Sequence, residues 1–120
     1  MSCFFRIDDR DVWNPSNLVA NAFIGQALAL SKLLDQKTGI GPIVDDECEI
    51  NKGDFLQFTT ILIHRHRDTA NPALRILLEG VASICLVLLE RSETRIISVR
   101  DMEAFGKERI SELARNMPLG

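Results

Sequence analysis

Apolar and polar residues alternate in two rhythms along this chain. At its start, Cys3-Phe4-Phe5-Arg6-Ile7 is a short apolar run. Asp8-Asp9-Arg10-Asp11 breaks it, and Val12-Trp13 resumes it. This spacing predicts strand, turn and return strand, a β-hairpin within residues 1–13. From there the spacing becomes helical. Val19, Ala22, Phe23, Leu30, Leu33 and Leu34 recur at three and four, and Leu18, Ile24, Ala27 and Leu28 widen the stripe until the helix is apolar over most of its girth. A helix of that kind is expected to be buried. Asn14-Pro15 supplies the start, with Asn as cap and Pro at the first helical position. The helix runs to about Gln36, and Thr38-Gly39-Ile40-Gly41-Pro42 stops it.

A second helix is expected over about 52–70, capped by Asn51 with Asp54 as its capping-box partner, and with Phe55, Phe58, Leu62 and Ile63 facing inward. Asn71-Pro72 opens a third, 72–91. Its stripe of Leu74, Leu77, Leu78, Val81, Cys85 and Leu88, with Ile84, Val87 and Leu89 on other faces, places it at the centre of a bundle. Ser98 and Asp101 form a capping box for a final amphipathic helix over 98–117, carrying Met102, Phe105, Ile110, Leu113 and Met117. Residues 94–97 leave room for a third short strand beside the hairpin. The pattern therefore predicts a mainly α fold: a four-helix bundle with a small N-terminal β-hairpin, in one domain over 1–120. Its parts are the hairpin at 1–13, three core helices at 14–91 and the C-terminal helix at 98–117. No internal repeat stands out.

Composition narrows the class. The chain of 120 residues is 46% apolar and 26% charged, as folded domains are. A net charge of −3 gives no electrostatic basis for non-specific nucleic-acid binding. Cys3, Cys48 and Cys85 are odd in number and lack C-x-x-C spacing, which excludes a disulfide framework or zinc knuckle as the reading. Charges from Arg6 to Asp11 interrupt the N-terminus before a signal-peptide core forms. The stretch 74–89 contains Arg75 and Glu79 and falls short of the roughly 20 residues a spanning helix needs. A cytoplasmic protein that is not membrane-bound is expected.

Candidate chemistry is sparse. His64 and His66 stand two apart on a helix, pointing about 200° apart, so they cannot share a metal ion. His66 falls on the apolar face, and His64 faces Asp68. Asp45, Asp46, Glu47 and Glu49 crowd a short stretch, but Ile50 and Leu56 stand where a calcium loop needs Gly and Glu. A solvated acidic loop that binds a partner is the functional reading. Glu79 sits in the most apolar helix beside Gly80, where burial would raise its pKa, with Arg75 one turn earlier as its natural partner. Gly39-x-Gly41 lacks the remainder of a phosphate loop. Trp13 is read as a lid over the bundle end or an interface anchor.

Trp13-Asn14-Pro15-Ser16-Asn17, Gly39-Ile40-Gly41-Pro42 with Asp46-Glu47-Cys48, and Leu78-Glu79-Gly80 together resemble a family of small uncharacterised bacterial proteins, a domain of unknown function. The resemblance covers about residues 1–91, leaves the C-terminal helix as an addition, and implies no activity. Two functions are then expected to compete. One is a non-enzymatic, acidic, accessory or immunity-like protein that binds a protein partner through Asp45, Asp46, Glu47 and Glu49. The other is a small-molecule-binding protein or enzyme with a bundle pocket built from Trp13, His66, Arg75 and Glu79. No metal, cofactor, nucleic acid or membrane enters either reading, and homodimerisation is compatible with both.

Overall fold

The computed structural model describes residues 1–93 and 105–119. It is an α+β structure, not the mainly α bundle that the periodicity predicts. The strands are β1 (Phe4–Ile7), β2 (Arg10–Trp13), β3 (Ile40–Val44) and β4 (Glu47–Ile50). The helices are α1 (Asn17–Leu34), α2 (Lys52–Asp68), α3 (Pro72–Arg91) and α4 (Lys107–Arg115). The four strands form one sheet in the order β2-β1-β4-β3, with β1 and β4 parallel and both outer pairs antiparallel.

The stretch expected to be a helix stop and an acidic loop is a second hairpin. Asp45 and Asp46 both take positive φ, 52° and 61°, as do Asp8 and Asp9 in the first hairpin, at 50° and 63°. Two consecutive left-handed residues make the turn type whose twist matches the flanking strands, and Asp is among the few non-glycine residues that tolerate it. The same arrangement therefore occurs twice: hairpin, Asp-Asp turn, a closing Asn (Asn14 or Asn51), then a helix. This structural duplication is hidden because the strands share little beyond the turn.

The N-terminal hairpin forms within residues 1–13 as predicted, and a bulge interrupts the ladder of each hairpin. The ladder pairs Phe5 with Trp13 and Arg6 with Asp11, which leaves Val12 as an extra residue. Val12 and Trp13 are consequently both buried, breaking the expected alternation. In β3, Gly41 and Pro42 lie inside a register shift on the edge strand, where a proline's missing N–H is tolerated. Both neighbouring glycines are required by close approach. A Cβ on Gly39, whose φ is +78°, would meet Phe55 N at 2.6 Å, and one on Gly41 would meet Glu49 O at 2.8 Å.

One face of the sheet carries Phe5, Ile7, Val12, Trp13, Cys48 and Ile50 into the core, where Phe5 stacks on Trp13 at 5.3 Å and Phe23 of α1 meets both edge-on. Trp13 is thus part of the sheet–helix core, and its indole Nε1 is buried without a hydrogen-bond partner among the described residues. Helix α3 packs against α2, α4, α1 and β2, so it is central as expected. Its inner side differs from the predicted stripe: Leu78, Val81, Cys85 and Leu88 are buried, whereas Leu77 is 67% exposed. Residues 85–89 are buried on every side.

Helix α1 is the larger surprise. Only Ala20, Phe23 and Ala27 are buried, while Leu18 is 81% exposed and Leu33 67%. It starts one turn-corner later than predicted. Ser16, not Asn14, is the cap, its Oγ accepting from Val19 N, while Asn14 N–H donates to Pro118 O. Asn51 and Asn71 cap α2 and α3 as predicted, accepting from Asp54 N and Leu74 N. Both α1 and α3 are long and apolar enough to cross a membrane by length and composition, although half of α3 is buried within the fold. Helix α4 is described from Lys107, and Phe105, Ile110 and Met117 bury its inner side. The capping box at Ser98 and Asp101, and the strand expected at 94–97, lie outside the described residues.

One side chain ties the C-terminal segment to both α3 and the sheet. Arg91, at the end of α3, donates to Val12 O at 2.9 Å, Ala114 O at 2.7 Å and Met117 O at 2.8 Å. A planar guanidinium can serve three carbonyls at once, here one from β2 and two from the end of α4. Burial lowers its pKa from the usual arginine value.

Candidate functional site

The outward face of the sheet follows from the same alternation that buries Phe5 and Cys48. Arg6 at its middle is flanked in register by Asp11 on β2 and Glu49 on β4, while Glu47 pairs with Phe4 one step away. Arg6 Nε lies 3.0 Å from Asp11 Oδ1 without the alignment of a hydrogen bond, and Nη1 lies 3.7 Å from Glu49 and 3.9 Å from Glu47. One half-buried cation thus serves three carboxylates. Their side chains are 48%, 61% and 52% exposed in the order Asp11, Glu49, Glu47. Asp8 and Asp9 extend this face at one end and Asp45 and Asp46 at the other, because parallel β1 and β4 put the two turns at opposite ends. Lys52 reaches Asp8 at 3.2 Å. The two hairpins carry seven carboxylates against Arg6 and Arg10.

The acidic stretch singled out in the sequence is therefore split in two. Asp45 and Asp46 shape the turn, and Glu47 and Glu49 point outward on β4 with buried Cys48 between them. Asp11, on the neighbouring hairpin, belongs to the same surface. Sequence reasoning missed it because only the sheet register brings it there.

The second candidate lies where α2, α3 and α4 meet. His66 is buried, its ring 4.4 Å from Phe105, with Nε2 3.8 Å from Glu79 Oε2. Glu79 forms an ion pair with Arg109 of α4. Arg75 does not pair with Glu79. Its Nε donates to Thr69 O at 2.9 Å, and with Arg67 O also in reach it closes the α2–α3 turn. Trp13 packs with Phe5 and Phe23. Of the four residues expected to build one pocket, the structure joins His66 and Glu79 and uses Trp13 and Arg75 elsewhere. Beside them a groove between α3 and α4 is lined by Ile76, Glu79, Gly80, Ser83, Ile84, Arg109 and Leu113. His64 lies apart from this cluster, in a groove with Arg65, Asp68 and Leu74, and Asp68 bonds Arg67 Nε at 3.0 Å.

Burial, with further contributions from Arg75 and Arg109, holds the His66 pKa below its usual 6.5. A histidine with a lowered folded pKa binds fewer protons folded than unfolded. The stability it contributes is complete above 6.5 and is lost as pH falls from there towards the folded value. The thermal midpoint should drop on acidification from pH 7.5 to 5, and His66→Gln should flatten that drop. Equal slopes in both proteins, measured by calorimetry, would assign the acid sensitivity to other groups.

The thiols are inert by position. Cys48 Sγ donates to Gly41 O at 3.2 Å, and burial, with Cys3 and Glu49 nearby, pushes its pKa up to about 12. Burial does the same to Cys85, also to about 12. All three cysteines are buried and free.

Comparison with known proteins places the chain in a family. The model of a family described as "Family of unknown function (DUF6086)" covers residues 1–119. The match includes the C-terminal helix, which is therefore part of the family's domain and not an addition. No curated protein and no solved structure matches.

Proposed function

The chain belongs to this family of unknown function, and from that footing we propose that it is a non-enzymatic binding protein. Its acidic sheet face recognises a basic patch on a protein partner, in an accessory or immunity-like role. The observation that carries this reading is the outward face of the sheet, with Asp11, Glu47 and Glu49 exposed around Arg6 and an Asp-Asp turn at either end. An exposed field of one sign raises association rates and selects partners by charge. The buried, high-pKa thiols fit a binding role better than nucleophilic chemistry, and their free state fits a reducing cytoplasm.

Neutralising Asp45→Asn, Asp46→Asn, Glu47→Gln and Glu49→Gln together tests the proposal. Asn tolerates the left-handed turn at least as well as Asp, so the hairpin should persist. Stability should change by less than about 1 kcal/mol, as for surface positions generally. A partner captured from native lysate by the wild type should associate at least tenfold more slowly with this variant at low salt. The difference should shrink as salt rises, because exposed charges are screened over about 8 Å at physiological ionic strength. Wild-type association at low salt would remove the sheet face from consideration.

The cluster of His66, Glu79 and Arg109 beside an apolar groove supports a second reading, a small-molecule site. Under that reading Glu79→Gln changes ligand affinity and the hairpin variant is silent.

A further inference from the structure

Helix α1 presents an outward face that nothing in the described fold covers. Along it lie Leu18, Ala22, Gly25, Ala29 and Leu33, at steps of three and four, all exposed. Lys32 is the only charged residue of the helix. Gly25 sits in mid-helix, where glycine costs about 1 kcal/mol relative to alanine. Nothing among the described residues requires it: a Cβ built there meets none of their atoms within 4 Å. The contrast with Gly39 and Gly41, both held by close contacts, is direct.

The face is also symmetric about its own centre. The midpoint of Asn17–Leu34 falls between Gly25 and Gln26. Leu18 and Leu33 stand equally far from it on either side, and so do Ala22 and Ala29. Run antiparallel against a copy of itself about a two-fold axis at that midpoint, the helix sets Leu18 over the partner's Leu33, Ala22 against the partner's Ala29, and Gly25 against the partner's Gln26 at the crossing. This is the self-complementarity that an isologous interface demands, each residue meeting its opposite number twice.

We propose that the outward face of α1 is a self-association surface, pairing two copies of this chain through antiparallel α1 helices that cross at Gly25. Small residues at the crossing let the backbones approach, and the leucines at either end close the apolar contact. The helix is about 27 Å long, and two such faces remove on the order of 1,000 Å² from water, the lower limit for a specific interface. The dimer is therefore reversible and concentration-dependent. Lys32, near the C-terminal end, is the one charge on this face, so the association avoids the repulsion that two acidic sheet faces would impose. Having a single charge also separates the surface from an interfacial membrane helix, which carries Lys and Arg along its polar margin. The proposal is independent of the partner assigned to the sheet.

Sedimentation equilibrium of the full chain, in buffer and over a concentration series, tests it. The wild type should show a monomer–dimer equilibrium. Gly25→Leu has open space in the monomer and a better helix former, so its thermal midpoint at low concentration should not fall. Its dimer dissociation constant should rise at least tenfold. Leu18→Glu with Leu33→Glu should abolish the dimer. A mixture of Leu18→Cys and Leu33→Cys chains should be joined by a short thiol cross-linker, and neither alone should be, since the native cysteines are buried. A wild type monomeric throughout, a dimer unaffected by these variants, or cross-linking of Leu18→Cys to itself would overturn the proposal. So would a monomeric protein that floats with neutral lipid vesicles and loses that property in the Leu18→Glu, Leu33→Glu variant.

Discussion

Replacing Arg91 with alanine should lower the unfolding free energy by about 3 kcal/mol and free the C-terminal helix first. Hydrogen bonds to a charged group contribute roughly 1.5–3 kcal/mol each. Arg91 makes three, but it is partly exposed, so the full sum is not reached. The loss is not local. The guanidinium joins the end of α3 to β2 through Val12 O and to the end of α4 through Ala114 O and Met117 O. Without it, Asn14 N–H to Pro118 O is, among the described residues, the backbone bond still holding the C-terminal segment to the strand side. Hydrogen exchange in Lys107–Arg115 should accelerate more than in α2. Arg91→Lys should recover only part of the loss, because an ammonium cannot hold three divergent carbonyls in one plane. A urea midpoint within error of the wild type would show that the apolar contacts of Phe105, Ile110 and Met117 hold α4 by themselves.

The paired substitutions Leu88→Ala and Leu77→Ala should behave in opposite ways, though both leucines share one helix. Leu88 is fully buried where α3 meets the remaining elements. Truncation there leaves a cavity and should cost about 2–5 kcal/mol. Leu77 is 67% exposed, and its truncation should cost less than about 1 kcal/mol. Denaturant midpoints of the two variants measure the contrast directly. A comparable loss in both would mean that the N-terminal half of α3 is covered by something in solution.

Much of the helical layer was legible because its punctuation is chemical. Asn51 and Asn71 each place a side-chain acceptor under the third N–H of a helix, so α2 and α3 begin where expected. The second hairpin was not legible, because charge outweighed geometry: four carboxylates in five residues look like a solvated loop. Buried Cys48 and Ile50 alternating with outward Glu47 and Glu49 is the pattern of a half-exposed strand. The Asp-Asp pair repeats the first hairpin's turn, and that repetition was the signal available. Helix α1 misled in the other direction. An apolar girth implies burial only if enough protein exists to surround it, and this chain instead places α1 at the margin, with Leu18 and Leu33 outside. Among site residues, Glu47 and Glu49 were found by charge and Glu79 by its apolar setting. Asp11 and Arg109 were missed, since each joins its cluster only through the tertiary fold. Arg75 was paired with Glu79 by helical spacing, but the open carbonyls at the end of α2 compete for it and win.

The parallel seam between β1 and β4 also sets an order in time. Each hairpin closes on a two-residue turn and can form within roughly 1–10 μs, and each helix faster still. The seam joins strands that have all of α1 between them, so it has no local route to formation and must first bear the entropy of closing that long loop. Two preformed hairpin–helix units meeting edge to edge is thus the natural last step of assembly. Until it happens, β1 and β4 each expose an unpaired edge lined with Phe5 and Cys48, the interval in which the chain is most open to joining the wrong strand.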